Sequence, residues 1–286
     1  MPRFAITGAS GGIGGRVARR LAAAGIDQRL VVRDPARAPQ LPGATVAVAT
    51  YADGAALRRA VEGTDVVLLV SAGEDPDRVR LHLTAVEAIA DAGVERIVYV
   101  SFLRCAPGST FTFARDHWHT ERAIEATGLA RTFLRDSIYL DMLPRMVGTD
   151  GVIRGPGGNG GFAPVARDDV ADVATAVLLD DGHAGRAYDV TGGERLTMQG
   201  AAEALTAVTG RPIAYVAETT EEAYASRAGY GAPDWEVAGW VTTYAAIATG
   251  ELDVVSDTVA GVAGHPPVTL AGYLAAHPED WRHLQP

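Results

Sequence analysis

The stretch Phe4-Ala5-Ile6-Thr7-Gly8-Ala9-Ser10-Gly11-Gly12-Ile13-Gly14 decides how this chain is read. A short apolar run leads into a glycine-rich turn. Behind it Ile13, Val17 and Leu21, spaced four apart, mark one face of an amphipathic helix. Strand, glycine turn and helix in that order make a site for the phosphates of a dinucleotide. Gly8 permits the tight turn, Gly11 lets backbone approach a pyrophosphate, and Gly14 lets the helix pack close to the strand. The helix N-terminus adds free N–H groups and a partial positive charge. Ala9, Ser10, Gly12 and Ile13 complete the loop. The spacing is Gly-x-x-Gly-x-x-Gly rather than the Gly-x-Gly-x-x-Gly of the general fingerprint, so the strand before and the helix after carry the assignment. Gly8-Ala9-Ser10-Gly11-Gly12 also fits Gly-x-Ser-x-Gly, the nucleophile elbow of hydrolases. That fold draws part of its oxyanion hole from an earlier strand loop, which is not expected ahead of residue 8, and the hydrolase reading is set aside.

Outward from this stretch, strands and helices alternate. Arg29 to Arg33 reads as a second strand and Ala44 to Thr50 as a third, with Asp53 as N-cap of the helix that follows. Asp65 to Ser71 is a continuous apolar run, suited to a strand buried on both faces. Asp75-Pro76 reads as the start of a long helix with Val79, Leu83, Val86 and Ala90 on its buried face. Arg96 to Ser101 is a fifth strand, residues 112–127 a helix, and Ala130 to Leu134 a sixth strand. The alternation predicts an α/β fold, a Rossmann-type doubly wound parallel sheet. From about residue 150 the pattern changes. Gly151 to Gly161 reads as a loop or hairpin, Asp168 as a helix cap, and Tyr188 to Val190 as a short strand. Thr197 opens another helix, Ile213 to Val216 is a strand, Pro233 to Thr249 a helix, and Pro267 to His277 a last short helix. The expected organisation is a cofactor domain over 1–150, to which 164–192 return, and a small α-rich C-terminal substrate lobe over 193–286.

Bulk properties narrow the class. With 286 residues, 48% of them hydrophobic, the chain can build a large core. The formal net charge of −10 speaks against nucleic acid or an anionic membrane as partner. There is no apolar run long enough to span a bilayer. A strand that begins at once leaves no room for a signal peptide, and a cytoplasmic protein, monomer or homodimer, is expected. The single Cys105 excludes an internal disulfide and a cysteine metal cluster, and no metal is expected. The chain holds no lysine, so its 25 basic residues are all arginine; no Walker lysine, Schiff-base lysine or lysine acid is available.

In a doubly wound sheet, ligands sit at the carboxyl ends of the strands. Here those ends are the Gly8 loop, Arg33, Ser71-Ala72-Gly73, Ser101-Phe102 and Asp136-Ser137. Arg33 stands where an acidic residue would take the ribose 2′-OH of NAD. An arginine there suits a 2′-phosphate through charge-assisted bonds, with Arg37 as helper. NADP(H) is therefore preferred, while Asp34 keeps NAD(H) open. Trp235 and Trp240 read as one core residue and one pocket wall, and Cys105 as unreactive.

These residues resemble the short-chain dehydrogenase/reductase superfamily and, more narrowly, its atypical NmrA-like group, which includes the NAD(P)H:quinone oxidoreductase type 2 enzymes. The likeness is carried by Thr7 to Gly14, Val32-Arg33-Asp34-Pro35, His117-x-x-Thr120-Glu121, Leu134-Arg135 and Gly264-His265-Pro266-Pro267. Reductases of the superfamily use a serine after the fifth strand and then Tyr-x-x-x-Lys. Here Ser101 stands at the strand end, but the pair reads Phe113-x-x-x-His117. Related chains often carry Asp-Tyr after the third strand for the adenine; this one has Thr50-Tyr51, leaving Tyr51 to contact the ring. The resemblance implies an oxidoreductase acting on a small apolar quinone or carbonyl. Ser71, Ser101, Asp136 and Ser137 would line the nicotinamide side, with His117, or secondly Tyr139, as proton donor. Two other outcomes stay open: a non-catalytic NAD(P)-binding sensor of the NmrA type, and a tailoring reductase or isomerase.

Overall fold

The computed structural model describes residues 3–285. The first half runs β1 (Phe4–Thr7), α1 (Gly12–Ala23), β2 (Gln28–Val32), β3 (Ala44–Val48), α2 (Gly54–Val61), β4 (Val66–Val70), α3 (Arg78–Asp91), β5 (Arg96–Phe102), α4 (Thr112–Ala126) and β6 (Ala130–Asp136). After β7 (Val152–Gly155) come α5 (Arg167–Leu179) and β8 (Ala187–Val190). The chain ends in α6 (Met198–Thr209), β9 (Ala214–Ala217), α7 (Thr220–Arg227), α8 (Asp234–Ala248) and α9 (Leu270–Ala276). Seven parallel strands form one sheet in the order β3-β2-β1-β4-β5-β6-β8. Strand order reverses between β1 and β4, which opens a crevice beyond their carboxyl ends.

Alternate strand residues feed two cores, as the period of two requires. Phe4, Ile6, Leu30, Leu68, Val98 and Leu134 pack against α1 and α5. Ala5, Val31, Val67, Leu69, Ile97 and Tyr99 pack against α2, α3 and α4. A third core, around Phe162, Met198, Leu205, Ile247 and Leu274, packs the C-terminal helices against Leu103, Ile138 and Leu143 beyond the β5 and β6 ends. No helix among the described residues is long and apolar enough to cross a membrane.

Four local readings need correction. The Gly151–Gly161 stretch is not a hairpin: β7 pairs in parallel with the distant β9, and a lobe forms around that two-stranded sheet. Asp168 does not cap α5, whose N-cap is Ala166; its carboxylate instead takes the guanidinium groups of Arg16 and Arg20. Asp75-Pro76 does not open α3. Asp75 accepts from the N–H of Asp77 at 2.7 Å, a local turn, and the helix begins at Arg78. Its buried face is Arg78, His82, Ala85, Val86 and Ile89, one step round from the apolar stripe, and Leu83 is left 42% exposed. The reason is polar: Arg78 and His82 find partners inside, so the helix turns them inward.

Candidate functional site

A cleft of about 1580 Å³ runs along the carboxyl ends of the strands and under the lobe. One wall is backbone. Gly8 adopts φ +59°, and its carbonyl accepts from the N–H of Gly11 at 2.8 Å, closing the turn. A β-carbon on Gly14 would lie 2.5 Å from the carbonyl oxygens of Thr7 and Gly8, so only glycine fits there. Helix α1 has no side-chain cap and no acidic residue in its first turn, which leaves its N-terminus open to an anion.

Of the residues expected at the cofactor, Gly8, Ser10, Gly11, Gly12, Ile13, Arg33, Tyr51, Ser71, Ala72, Gly73, Asp136 and Ser137 line this cleft. Ala9 and Gly14 do not. Ala9 is buried in the core beneath the loop and Gly14 is pressed on backbone, so both shape the turn without reaching its surface. Ser101 is also off the wall. It lies on the α4 face of the sheet, fully buried, and its hydroxyl donates to Glu121 Oε1 at 2.7 Å.

The floor is a network of buried polar groups. The Ala72 N–H donates to His82 Nε2 at 2.8 Å. His82 Nδ1 then donates to Thr120 Oγ1 at 2.8 Å, and that hydroxyl donates to the Asp116 carbonyl. Beside it Arg78 donates from Nε to the Ala72 carbonyl at 3.0 Å and from Nη2 to His117 Nε2 at 2.9 Å. With Nε2 accepting, His117 Nδ1 donates to the Tyr99 hydroxyl at 2.9 Å. Burial and the Arg78 charge push both imidazoles down, His82 to about 3 and His117 well below its ordinary value. This corrects the proton-donor reading of His117. The ring touches the cleft, but it is neutral and both nitrogens are engaged, so it holds Arg78 rather than a proton for release.

Nearby, Arg135 grips Glu121 bidentately, Nε to Oε1 at 2.9 Å and Nη2 to Oε2 at 2.6 Å. Cys105 donates to the same carboxylate; burial, and then that charge, pushes its thiol up to about 12. The elements His117-x-x-Thr120-Glu121 and Arg135 therefore build the frame beneath the cleft.

At the end of β6 the Asp136 carboxyl is 3% exposed, and burial pushes it up to about 7 against the lowering effect of Arg167 and Arg78. The Tyr139 hydroxyl donates to it. Burial first and then the Asp136 charge hold the phenol well above its ordinary value, so Tyr139 stays protonated. Ser137 Oγ is buried without a hydrogen-bond partner.

Another part of the cleft is lined by side chains. Phe102, Phe111 and Phe113 form an edge-to-face ladder with centroids 5.0 and 5.6 Å apart, and Met142, Met146, Trp240 and Tyr244 extend it across the lobe. Phe113, in the slot of the superfamily's tyrosine, lies against the backbone of Gly239 in α8, where a β-carbon would collide with its ring. Trp240 is the pocket wall; Trp235, half-buried, meets Phe113 edge-on at 6.2 Å. Sequence reasoning placed Phe102 and one tryptophan at the cleft but missed Arg78, His82, Arg167 and the rest of this aromatic wall. Arg78 and His82 do share a helix face, four residues apart, which is the one signal they leave.

A model of the NAD(P)H-binding family matches residues 8–181. The chain is 31% identical over 277 residues to an NAD(P)H azoreductase of Xenophilus azovorans, covering 95% of this chain and 96% of that one. It is 33% identical over 276 residues to quinone oxidoreductase 2 of Escherichia coli K12, covering 94% and 96%. The crystal structure of that quinone oxidoreductase with NADPH superposes with a TM-score of 0.86 over 98% of this chain and 99% of the other. The transcriptional regulator NmrA, solved with NAD, shares the fold alone, at TM-score 0.76 and 16% identity over 99% and 98% of the two chains. The chain belongs to the NAD(P)H-binding family. The cleft fits such a dinucleotide on its own evidence: a glycine turn with Gly8 in the left-handed region and Gly14 packed on backbone with no room for a β-carbon, an uncapped helix N-terminus, and the orphaned Ser137 hydroxyl.

Proposed function

We propose that this chain is an NADPH-dependent oxidoreductase that reduces a small apolar quinone or carbonyl acceptor, without a tyrosine–lysine relay. The carrying observation is that the aromatic ladder of Phe102, Phe111 and Phe113 and the glycine loop line one and the same cleft. In this reading residues 1–150 and 164–192 hold the dinucleotide and 193–286 form the substrate lobe. The Gly8–Ile13 turn receives the pyrophosphate. Arg33, exposed and without an ion pair among the described residues, receives the 2′-phosphate. Tyr51 offers its ring to the adenine while its hydroxyl is spent on the Val70 carbonyl.

Reduced nicotinamide supplies the hydride; the residues orient the acceptor and manage one proton. The Phe wall stacks a flat ring and excludes water. Asp136, protonated up to about pH 7, holds the proton beside Tyr139. A quinone needs little more, since hydride and one proton complete the hydroquinone.

The test is NADPH oxidation against a panel of benzoquinones, naphthoquinones, azo dyes and ketones. Turnover with the planar conjugated acceptors is expected. No turnover with any acceptor, together with tighter binding of NADP⁺ than NADPH, would replace this reading by the sensor.

A further inference from the structure

Arg167 opens α5 opposite the glycine loop, and nothing above gives it a task. A β-carbon on Gly12 would lie 3.3 Å from its Cδ and Nη1, so the side chain stands directly over the loop. Two contacts fix its place. Nε donates to both carboxylate oxygens of Asp141 at 3.0 Å, and the guanidinium carbon sits 3.7 Å from the centre of the Tyr139 ring. Neither Nη1 nor Nη2 bonds to any protein group among the described residues, and Arg167 lines the cleft. The other arginines near the start of α1 are committed: Arg16 to Asp168, and Arg20 to Asp168 and Asp172. An anion resting on the α1 N-terminus would thus have backbone N–H groups on one side and two unspent guanidinium N–H2 groups on the other.

We propose that Arg167 is a ligand of the dinucleotide's diphosphate, closing from α5 the site that the glycine loop opens from β1. The proposal rests on the dinucleotide reading of that loop. It assigns two of the cleft's arginines to different phosphates: Arg33 to the 2′-phosphate, which only NADP(H) carries, and Arg167 to the diphosphate, which NADP(H) and NAD(H) share. Because Nε stays with Asp141, the same side chain braces the segment from Tyr139 to Met146 that walls the acceptor side.

Calorimetric titration separates the roles. The ligands are NADPH, NADH and adenosine 2′-monophosphate; the proteins are wild type, Arg167→Ala and Arg33→Ala. Arg167→Ala should weaken NADPH and NADH by the same factor, about 10- to 100-fold for a lost charge-assisted pair, and leave adenosine 2′-monophosphate unchanged. Arg33→Ala should weaken NADPH and adenosine 2′-monophosphate and spare NADH. Arg167→Ala binding both dinucleotides within twofold of wild type overturns the proposal. Equal loss of all three ligands overturns it too, because that marks a structural role. Should Arg167→Ala fail to fold, wild-type protein decides: NADH should protect Arg167 from phenylglyoxal, read by peptide mass, and unchanged labelling overturns the assignment. If wild type binds neither dinucleotide, the reading of the loop falls instead.

Discussion

The two walls of the cleft are made differently. The part proposed for the diphosphate is local: Gly8 and residues 10–13, one turn, one helix end. The wall proposed for the acceptor is side chain, gathered from the β5 end, the 111–113 segment, the 139–147 segment and α8. Where backbone packs on backbone, as at Gly14 beneath the turn, no added atom fits, whereas side-chain walls tolerate exchange at modest cost. The largest expected effect follows from that contrast. Gly14→Val places atoms against the Thr7 and Gly8 carbonyls and should cost about 3 kcal/mol or more by chemical denaturation, with loss of NADPH binding.

Asp136 sharpens the contrast from beneath. Its folded value of about 7 stands above an unfolded value near 4, so the folded state binds a proton the unfolded state lacks. Its stabilising contribution is complete below about pH 4 and is lost as pH rises to about 7. Asp136→Asn should therefore match wild type in acid and exceed it by about 2–4 kcal/mol at pH 8, read from denaturation midpoints. If the carboxyl also supplies the proton, kcat/KM of wild type falls above pH 7 and the variant's profile is flat.

The histidine floor works with the opposite sign. His82 is depressed to about 3, so its contribution is present above about pH 6.5 and lost as pH falls toward 3. His82→Gln, which removes the titration, should lose less stability than wild type between pH 6.5 and 4. The smallest effect belongs to the acceptor wall. Trp240→Ala should raise KM for a quinone several-fold, a loss of about 1 kcal/mol, and leave the NADPH Kd unchanged.

The same contrast explains what the sequence disclosed. Glycines spaced along a strand-turn-helix leave a local signature, so the loop and sheet are legible in the sequence, and the place of Arg33 after β2 puts it on the cleft. The wall proposed for the acceptor leaves little: Phe102 is given by its strand end and one tryptophan by its helix, but Phe111, Met142, Met146 and Tyr244 join them only through the fold. His117 and Ser101 were misread for a related reason. Position in the motif placed them near the cleft, but whether a polar side chain is free depends on partners from other elements: Arg78 and Tyr99 for one, Glu121 for the other. Likewise α3 turned by one residue because Arg78 and His82 were satisfied inside, a fact periodicity of apolar residues does not carry.

The composition of the cleft has a chemical consequence. Conjugated carbonyl compounds react with thiolates and amines by addition, so a protein that handles them is also exposed to being arylated. This chain has no side-chain amine, because every one of its 25 basic residues is an arginine, a guanidinium that stays protonated. Its one thiol lies buried against Glu121 with its pKa at about 12, and thiolate is scarce at neutral pH. The imidazole at the wall has both nitrogens occupied. If the proposed acceptors are the substrates, an electrophile in this cleft would meet few nucleophiles besides a bound hydride donor, and reduction and self-inactivation would cease to compete.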